Sequence, residues 1–537
     1  MSIETSPDRT GVCSWCEHTN APGSRFCGNC GRTLVFDVVC PFCGCRNPES
    51  HAHCDACGVL LDESKREDLR GTGIGYLARF QARVRGVTLD NWPILALVAI
   101  VALALSIRLF SLTDIPPNVV GDEADNLLIV YRIMADIGPG FFELDWKPQP
   151  AFSVYIMGWF MGLFGETIVG MRMSSVVLST ASVLVFYAVV RQHNVSKLAG
   201  LGAALLLATG VWYLHFSRSG WENVHVGLYT LSAMVSLNAA IGSKRLPTSL
   251  LLFAATGLFA ALGLYGYTSG RVIIVALLAY LPIAFFLHSE HRKRLLIGYG
   301  VMCITALVLF WPQLDSALDD WENFNRRVQV VYVLNEENSR MFEGKSDIEI
   351  IAQQTWKNVR GFVLLDTGAS HVGLNSRYIP PGHGLFDRLT AILFWLGLMV
   401  SVVRWRQALL WWVFFLVMIF PIQVLGSGTP DAARAVGTAP LFYLFVALAL
   451  DWLLGLRYTR KQWVFKTATI AVLVLIAYSN VASYFDWMER PDAAAVRQPA
   501  VDVADFESWQ ILQKAAAEAG QGGFNVGEWL EMKERGF

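Results

Sequence analysis

The sequence predicts an all-α polytopic membrane protein with a small cysteine-rich module at its N-terminus. Of its 537 residues, 54% are hydrophobic and 16% are charged, and the mean hydropathy is +0.42. Apolar runs long enough to cross a bilayer recur between Asn91 and Tyr484, whereas nine of the ten cysteines precede Val59. The net charge of −1 offers no bulk basicity for binding nucleic acid, so we expect none as a partner.

The N-terminal cysteines form two copies of one pattern, 27 residues apart. Each copy is a Cys-x2-Cys pair, ten residues and a second Cys-x2-Cys pair, and the eight positions are Cys13, Cys16, Cys27, Cys30, Cys40, Cys43, Cys54 and Cys57. Four thiolates in paired spacing suit a tetrahedral Zn²⁺, and so short a segment has too little core to fold without such a staple. We therefore expect two structural zinc ribbons over residues 1–58. A disulfide framework is the alternative, and it would require an oxidising compartment.

Residues 59–90 are predicted to form a polar linker and a basic approach to the membrane, with three arginines in "ARFQARVRG". Residues 91–485 form the predicted transmembrane domain, with a large outer loop over 313–385. Residues 486–537 form a predicted extracytoplasmic tail.

Eleven segments are predicted to span the membrane. They are 92–112, 172–190, 198–216, 224–241, 249–267, 272–287, 295–311, 386–403, 408–425, 438–456 and 465–485. One more apolar stretch, "PAFSVYIMGWFMGLFGE", holds only about 16 residues between its polar ends, which is short for a spanning helix. It is predicted to be re-entrant or interfacial.

The distribution of Lys and Arg among the loops indicates whether this short stretch spans the membrane. If it does not span, the loops "RQHNVSK", "GSKRLP", "HSEHRKR", "RWRQ" and "LRYTRKQ" share a side with the N-terminal arginines, as the positive-inside rule requires. If it spans, all five loops move outside. The prediction is a multi-pass cell-membrane protein with a cytoplasmic N-terminus and an extracytoplasmic C-terminus.

The stretch "NVVGDEADNLL" places several carboxylates just after the first span. Leu127, Tyr131, Met134 and Ile137 follow at helical spacing, so residues 123–137 are predicted to lie as a helix along the membrane surface. This helix would hold the carboxylates at the outer lipid boundary.

Ionisable residues from many segments border the outer leaflet on this topology. They are Arg108, Asp122, Glu123, Lys147, Arg218, Glu222, Arg271, Arg326, Arg327 and Arg434. The centres of the spans carry almost none, whereas transporters usually place such groups at mid-membrane. Carboxylates among cations indicate a general base beside an anion-binding site, and the natural anion at this depth is a lipid phosphate.

Several ordered landmarks resemble the family 39 glycosyltransferases of the GT-C superfamily, which include protein O-mannosyltransferases and aminoarabinose transferases. "GDEA" follows the first span, and "KPQP" leads to "GLFGETIVGMRMSS". "LHFSRSGWEN", "LGLYGYTSGRV" and "FNRRVQVV" then follow in order. The resemblance covers about residues 105–485.

The resemblance implies transfer of a sugar from a polyprenyl-phosphate donor to an acceptor hydroxyl on the outer face, with inversion. Asp122 matches the family's catalytic aspartate, Glu123 its usual neighbour, and Lys147 the residue that holds the donor phosphate. Glu222 falls near a second acidic position. Trp146 stands where the aminoarabinose branch has a metal-binding glutamate, so an active-site metal is not supported.

Each of these residues also has a structural interpretation. Asp122 and Glu123 could cap a helix N-terminus, and Lys147 could anchor at the headgroups. The arginines that we predict as donor-phosphate ligands, Arg218, Arg271, Arg326 and Arg434, could instead pair with loops or headgroups.

The preferred function is therefore a polyprenyl-phosphate-sugar-dependent glycosyltransferase. A lipid or polysaccharide flippase could use the same basic cleft, and a membrane-anchored scaffold would make the zinc ribbons the functional part. The ribbons could bind a cytoplasmic protein. The sequence names neither the sugar nor the acceptor, which could be protein, lipid or glycan.

Overall fold

The structure is a computed structural model. It describes residues 11–12, 18–20, 29, 37–39, 46–48, 73–119, 121–134, 136, 138–144, 149–342, 344–363, 375, 377–456 and 462–497. The chain divides into two compact units, Met1–Leu95 and Ala96–Phe537.

The N-terminal unit contains two short antiparallel hairpins. Strand β1 (Gly11–Val12) pairs with β2 (Thr19–Asn20), and β3 (Asp37–Val39) pairs with β4 (Arg46–Pro48). Val12 faces Thr19 in the first hairpin, and Val39 faces Arg46 in the second, so the register repeats 27 residues further along the chain. This is the period of the cysteine pattern. All eight predicted zinc ligands lie outside the described residues.

Helices make up the rest of the described chain. The first ten are α1 (Gly73–Leu109), α2 (Gly121–Met134), α3 (Phe152–Phe164), α4 (Ile168–Gln192), α5 (Lys197–Thr209), α6 (Val211–Phe216), α7 (His225–Gly242), α8 (Leu246–Tyr265), α9 (Val272–Leu287) and α10 (Arg292–Asp319). The others are α11 (Trp321–Val331), α12 (Glu336–Ser339), α13 (Asp347–Val363), α14 (Arg388–Val403), α15 (Trp405–Ile419), α16 (Ala432–Ala435), α17 (Ala439–Gly455), α18 (Gln462–Met488) and α19 (Pro491–Val496). Short 3₁₀ segments lie at Glu222–Val224, Thr268–Arg271, Ser289–His291, Arg340–Phe342 and Val436–Thr438, and Phe420–Val424 is π-helical.

Nine helical segments of the described chain are long and apolar enough to cross a membrane. They correspond to nine of the eleven predicted spans. The other two predicted spans are also helical but shorter, because α14 begins only at Arg388 and the segment 198–216 is divided between α5 and α6. Gly210 separates these two with an extended backbone, and a Cβ there would lie 2.2 Å from the Tyr443 hydroxyl.

Four of the five loops that were predicted to be cytoplasmic, those at residues 191–197, 242–247, 288–294 and 404–407, meet at one end of the bundle, here called the basic end. Most of the fifth loop lies outside the described residues. The joining contacts are His193 Nδ1 to Gln407 O (2.8 Å), Ser196 N–H to Asp451 Oδ1 (2.8 Å), Arg404 to Asp451 (2.5 Å), Asn238 Nδ2 to Gln192 Oε1 (3.2 Å) and Arg294 Nη1 to Ser243 O (2.6 Å). The opposite end carries α2 and is called the α2 end. The charge pattern therefore grouped these loops correctly.

Helix α3 does not cross between these ends. Its first residue, Phe152, packs on Tyr265 at the α2 end of α8, with ring centroids 5.0 Å apart. Just beyond its last residue, the Glu166 carbonyl accepts a hydrogen bond from Tyr131 of α2 (2.8 Å). Thirteen helical residues extend only about 20 Å, against roughly 30 Å of hydrocarbon. The interpretation of this stretch as non-spanning is supported by both contacts.

Helix α17 lies at the centre of the bundle, and its residues 439–450 are all buried. Gly397 lets α14 approach it closely, since a Cβ at this position would lie 1.9 Å from the Phe445 carbonyl oxygen. The short helix α16 precedes α17 and lies at the α2 end, which fixes one wall of the site described next.

Candidate active site

Helix α2 presents the two acids of the "GDEA" motif in its first turn, where acidic side chains interact favourably with the helix dipole. Its apolar face, which includes Leu127 and Val130, packs against Val154 and Met157 of α3. The helix predicted over 123–137 is thus confirmed up to Met134, where α2 ends. Because successive residues of a helix point about 100° apart, Asp122 and Glu123 have different surroundings.

Glu123 points inward and is buried. Its carboxylate accepts hydrogen bonds from Arg172 Nε (2.8 Å) and Nη2 (3.2 Å) and from the Gly220 N–H (2.7 Å). Burial alone would raise the pKa of Glu123, but Arg172 and the Gly220 N–H hold that pKa below its ordinary value. The structure thus gives Glu123 a positioning role, while its predicted catalytic role stays a prediction.

Arg172 joins this ion pair to the first loop of the α2 end. Besides Glu123, it donates to the carbonyl oxygens of Leu112 (2.9 Å) and Pro116 (3.3 Å). The loop that leads into α2 is therefore tied to α4.

Asp122 is half-buried beside two tyrosines contributed by other segments. Burial raises the pKa of Tyr378, and the charges of Asp122 and Asp431 raise it further. Burial likewise raises the pKa of Tyr267, with contributions from Asp431 and Asp122 opposed by Arg434 and Arg327. Both phenols therefore stay protonated at neutral pH and can donate hydrogen bonds next to the Asp122 carboxylate.

Asp431 and Arg434 form a wall of the site, since the charges of both act on Tyr267. Arg434 Nε lies 2.9 Å from Asp431 Oδ2, and its Nη1 donates to the Ser427 carbonyl (2.8 Å). Gln423 holds the Asp431 backbone through two 3.0 Å hydrogen bonds, and Asn375 holds the neighbouring Pro430 carbonyl (2.7 Å). Such a closely held loop suits a site that must keep a fixed cation in place.

Arg218 is fully buried, and its guanidinium donates hydrogen bonds to main-chain carbonyls. Its Nη1 donates to Ile107 (2.5 Å) and Arg108 (2.8 Å), and its Nη2 donates to Phe110 (2.5 Å) and Ile115 (2.9 Å). Ile107 and Arg108 lie in the last turn of α1, whereas Phe110 and Ile115 lie in the loop that follows, so Arg218 caps the helix and also holds this loop. A phosphate could reach this guanidinium only if these bonds were broken.

The three other described arginines that were proposed as phosphate ligands differ in exposure. Arg271 is half-buried, lies 3.8 Å from the centre of the Phe324 ring and donates to the Phe324 carbonyl (3.0 Å). Arg326 is exposed on α11, beside the exposed Arg327, whose charge reaches Tyr267. Arg434 is half-buried in the wall described above. Among the predicted cations of the α2 end, Arg434 and Arg327 are therefore the ones whose charges act on Tyr267.

Glu222 is buried at the start of α7. It accepts a hydrogen bond from Asn126 of α2 (2.6 Å), and Asn126 also donates to the Gly220 carbonyl (3.2 Å). The predicted second acid thus lies along the inner face of α2, one turn beyond Glu123.

Lys147 lies outside the described residues. The described residues on either side, Leu144 and Pro150, pair in an antiparallel bridge. Leu144 and Phe152 pack against the cluster of Tyr265, Phe310 and Phe324. This cluster includes the ring on which Arg271 rests.

Folding brings Asp122 together with three residues that had not been proposed as site residues, Tyr267, Tyr378 and Asp431. The sequence offered a weak signal for each, since all three lie in loops that the topology places on the outer side. In the described part of the chain, no group of three or more His, Cys, Asp or Glu side chains is placed to hold a metal ion.

Comparisons with known proteins match part of the chain. A family model described as dolichyl-phosphate-mannose-protein mannosyltransferase matches residues 148–314. The undecaprenyl phosphate-alpha-4-amino-4-deoxy-L-arabinose arabinosyl transferase of Pseudomonas aeruginosa (strain LESB58) is 27% identical over 176 residues, covering 32% of this chain and 31% of that protein. Its namesake in Pseudomonas paraeruginosa (strain DSM 24068 / PA7) is 28% identical over 180 residues, with the same shares. The matched region thus spans about a third of these relatives.

Among solved structures, the Archaeoglobus fulgidus oligosaccharyltransferase tethered with an acceptor peptide gives a TM-score of 0.51 at 14% identity. The similarity covers 75% of this chain and 56% of that chain. ArnT from Cupriavidus metallidurans in the apo state gives 0.48 at 15% identity, covering 78% and 69%. The fold of this chain is a GT-C fold of a multi-pass membrane protein.

Proposed function

We propose that this protein is a glycosyltransferase that moves a sugar from a polyprenyl phosphate to an acceptor hydroxyl at the α2 end of the bundle. The names of its relatives support this proposal, since they describe transferases that use undecaprenyl phosphate-linked or dolichyl phosphate-linked sugars. The polyprenyl-phosphate donor is the feature that those names share. The sugar and the acceptor stay open.

The observation that carries the proposal is the setting of Asp122. Of the two adjacent acids, Asp122 is half-buried, whereas Glu123 is buried in an ion pair with Arg172. The charge of Asp122 acts on two protonated phenols, Tyr267 and Tyr378, and the charges of Asp431 and Arg434, which form an ion pair, act on Tyr267 as well. A carboxylate near hydrogen-bond donors and a cation is the arrangement expected of a general base that acts next to an anionic substrate.

The reaction proposed for this site is a single displacement. The Asp122 carboxylate takes the proton of the acceptor hydroxyl while the hydroxyl oxygen forms a bond to the anomeric carbon. The bond between that carbon and the phosphate oxygen breaks, and its electron pair leaves with the polyprenyl phosphate. Attack from the face opposite the phosphate inverts the anomeric carbon.

Cations at the α2 end would stabilise the negative charge that develops on the departing phosphate. We assign this task to Arg434 and Arg327, with Arg326, Arg271 and Lys147 as further candidates. Arg218 fits it less well, because its terminal nitrogens already serve the end of α1. Glu222 is assigned to positioning α2 through Asn126.

The orientation follows from charge. The basic end carries the Lys- and Arg-rich loops at residues 191–197, 242–247, 288–294 and 404–407, so we propose that it faces the cytoplasm and that the α2 end faces the outside of the cell membrane. Transfer would then occur on the outer face, and residues 486–537 would follow on that side.

The N-terminal cysteines fit two structural zinc ions. Each ion would be held by four thiolates, the first by Cys13, Cys16, Cys27 and Cys30 and the second by Cys40, Cys43, Cys54 and Cys57. The shared 27-residue period of the cysteines and of the hairpin register supports two equivalent sites. Four-thiolate sites supply folding energy and leave no position for a substrate, so the proposed role of this module is to bind a partner.

The test is sugar transfer by the purified full-length protein in detergent, with a panel of synthetic polyprenyl-phosphate sugars. The readout is release of polyprenyl phosphate together with a glycosylated product from a cell-envelope extract. Release that depends on the protein and on one sugar supports the proposal. If the reconstituted protein moves intact donor across vesicles and never cleaves it, the protein is a transporter and the proposal fails.

A further inference from the structure

The segment that follows the last span folds back onto the first loop of the α2 end. After α18, the N–H groups of Glu489 and Arg490 bond to the carbonyls of Phe485 (3.0 Å) and Trp487 (3.0 Å), which ends the helix. Helix α19 then begins at Pro491, and its Ala493 is buried in a cluster that includes Ile115. The segment thus contacts the loop between α1 and α2.

Arg497, directly after α19, is the most connected residue of this segment. Its side chain is 1% exposed. Nε donates to the Pro117 carbonyl (2.7 Å), Nη1 lies 3.1 Å from His215 Nε2 and donates to the Arg377 carbonyl (3.3 Å), and Nη2 donates to the Asn118 carbonyl (3.4 Å). One guanidinium therefore joins the first loop, the end of α6 and the large outer loop.

The first loop holds the segment in return. Asn118 Nδ2 donates to the carbonyls of Ala494 (3.0 Å) and Arg497 (3.3 Å). Asn118 has a φ of +60°, a left-handed conformation that asparagine adopts more readily than most residues. It lies four residues before Asp122, so these bonds fix the entry of α2.

The Arg497 guanidinium also contacts the segment that carries Tyr378. Arg377, whose carbonyl it binds, directly precedes Tyr378, one of the two phenols beside Asp122. No carboxylate forms an ion pair with Arg497 among the described residues, and Glu123 is the acid whose charge acts on it. Burial lowers the pKa of Arg497 to about 10, so the group stays charged at neutral pH.

Burying a guanidinium among carbonyls, without a carboxylate partner, is costly. A hydrocarbon side chain of similar volume would fill the space at lower cost. What only the guanidinium provides is a planar set of donors that can hold three segments in one arrangement.

From these contacts we infer that Arg497 is a positioning residue for the transfer reaction, which sets Asp122 and Tyr378 in register with each other. This inference rests on the proposed function and assigns to residues 491–497 a role as a latch over the site. Misplacement of a catalytic group by about 1 Å can cost on the order of 100-fold in rate. Loss of the latch should therefore lower kcat.

The test compares three variants of the full-length protein in the transfer assay, at equal folded concentration. Arg497→Ala should lower kcat by about 10- to 100-fold and change the KM for the donor by less than about threefold, since the latch affects geometry and not donor contacts. Arg497→Met keeps the volume and should be as defective as Arg497→Ala. Arg497→Lys keeps the charge and should recover part of kcat, because one ammonium cannot reach all the acceptors.

Arg490→Gln is the matched control. Arg490 lies in the same segment but is exposed, and among the described residues its side chain pairs with the exposed Asp486, so kcat should be unchanged. If the Arg497 variants fail to fold, Asn118→Ala removes the reciprocal bonds and should lower kcat in the same way. A double variant of Asn118→Ala and Arg497→Ala should be no worse than Arg497→Ala alone.

The outcomes separate the two proposals. Wild-type protein without transfer activity would overturn the proposed function. Active wild type, with Arg497→Ala and Asn118→Ala both at full kcat, would overturn the latch alone. Full recovery by Arg497→Met would show that Arg497 only fills space.

Discussion

At the scale of single residues, adjacent acids in "GDEA" have opposite tasks. Glu123 is buried against Arg172, while Asp122 is half-buried beside Tyr267 and Tyr378. The sequence predicts that both acids lie at the start of a helix, but their partners come from α4 and from distant loops. Sequence spacing alone cannot show which of the two acids is buried in an ion pair.

Breaking the buried Glu123–Arg172 ion pair should lower the free energy of unfolding substantially. Glu123→Gln leaves the Arg172 guanidinium buried without a counter-charge, and we expect a cost of about 3 to 5 kcal/mol. Thermal unfolding in detergent measures it. Glu336→Gln, which breaks the exposed Arg340–Glu336 pair, is the control and should leave the melting temperature unchanged.

The Glu123–Arg172 pair also predicts how the stability of the protein changes with pH. Because the pKa of Glu123 lies below its ordinary value of 4.5, its stabilisation is present above pH 4.5 and is lost as the pH falls through the lowered pKa. The stability difference between wild type and Glu123→Gln should be constant from neutral pH to about 4.5 and should shrink below it. A difference that already shrinks near neutral pH would contradict the assignment.

Tyr378 allows a test of substrate contact. Its buried hydroxyl has no hydrogen-bond partner among the described residues, so Tyr378→Phe should leave stability almost unchanged. If the hydroxyl donates to the substrate, kcat/KM should fall by roughly 3- to 10-fold, the worth of one hydrogen bond. Tyr299→Phe removes another buried phenol without a partner in the described chain, and it should leave kcat/KM unchanged.

At the scale of elements, the hydropathy and charge patterns predict the helices well. Eleven predicted spans coincide with helical segments, and the short α3 keeps both ends on one side. The break at Gly210 was missed, because its cause is the close approach of Tyr443 from α17, which local sequence does not reveal. The capping role of Arg218 was missed for the same reason, since its carbonyl partners lie about a hundred positions away.

Topology can be tested by labelling single cysteines, introduced one at a time into a chain that begins at Gly71 and carries Cys303→Ser, since this chain has no other cysteine. Asp114→Cys, Glu166→Cys and Glu337→Cys place a thiol at exposed positions of the α2 end, and Lys244→Cys places one at the basic end. An impermeant reagent applied to intact cells should label the first three and spare the fourth. Labelling of Asp114→Cys without Glu166→Cys would mean that α3 crosses the membrane after all.

At the scale of the whole molecule, the chain combines a cysteine-rich N-terminal unit with a unit of long apolar helices whose fold is similar to that of a solved oligosaccharyltransferase. The sequence predicts both parts, because repeated cysteine pairs and long apolar runs are strong local signals. It leaves open how the two parts are related in function.

Separation of the two parts should be visible in a truncated protein. A chain beginning at Gly71 should keep transferase activity in detergent, since the proposed ribbons would lie on the far side of about 30 Å of hydrocarbon. The full-length protein should carry about two zinc ions, as two four-ligand sites require, by metal analysis. Complete loss of activity on truncation, at equal folded concentration, would show that the ribbons are coupled to catalysis.

The most direct test of the central claim is the turnover number of Asp122→Asn. This change removes the proposed base and keeps the side-chain shape, so we expect kcat to fall by at least about 100-fold while the melting temperature stays close to that of wild type. Asp114→Asn, an exposed acid of the same loop, is the matched control and should turn over normally. Near-normal turnover by a folded Asp122→Asn protein would contradict the account, because no proton acceptor would then be assigned to the reaction.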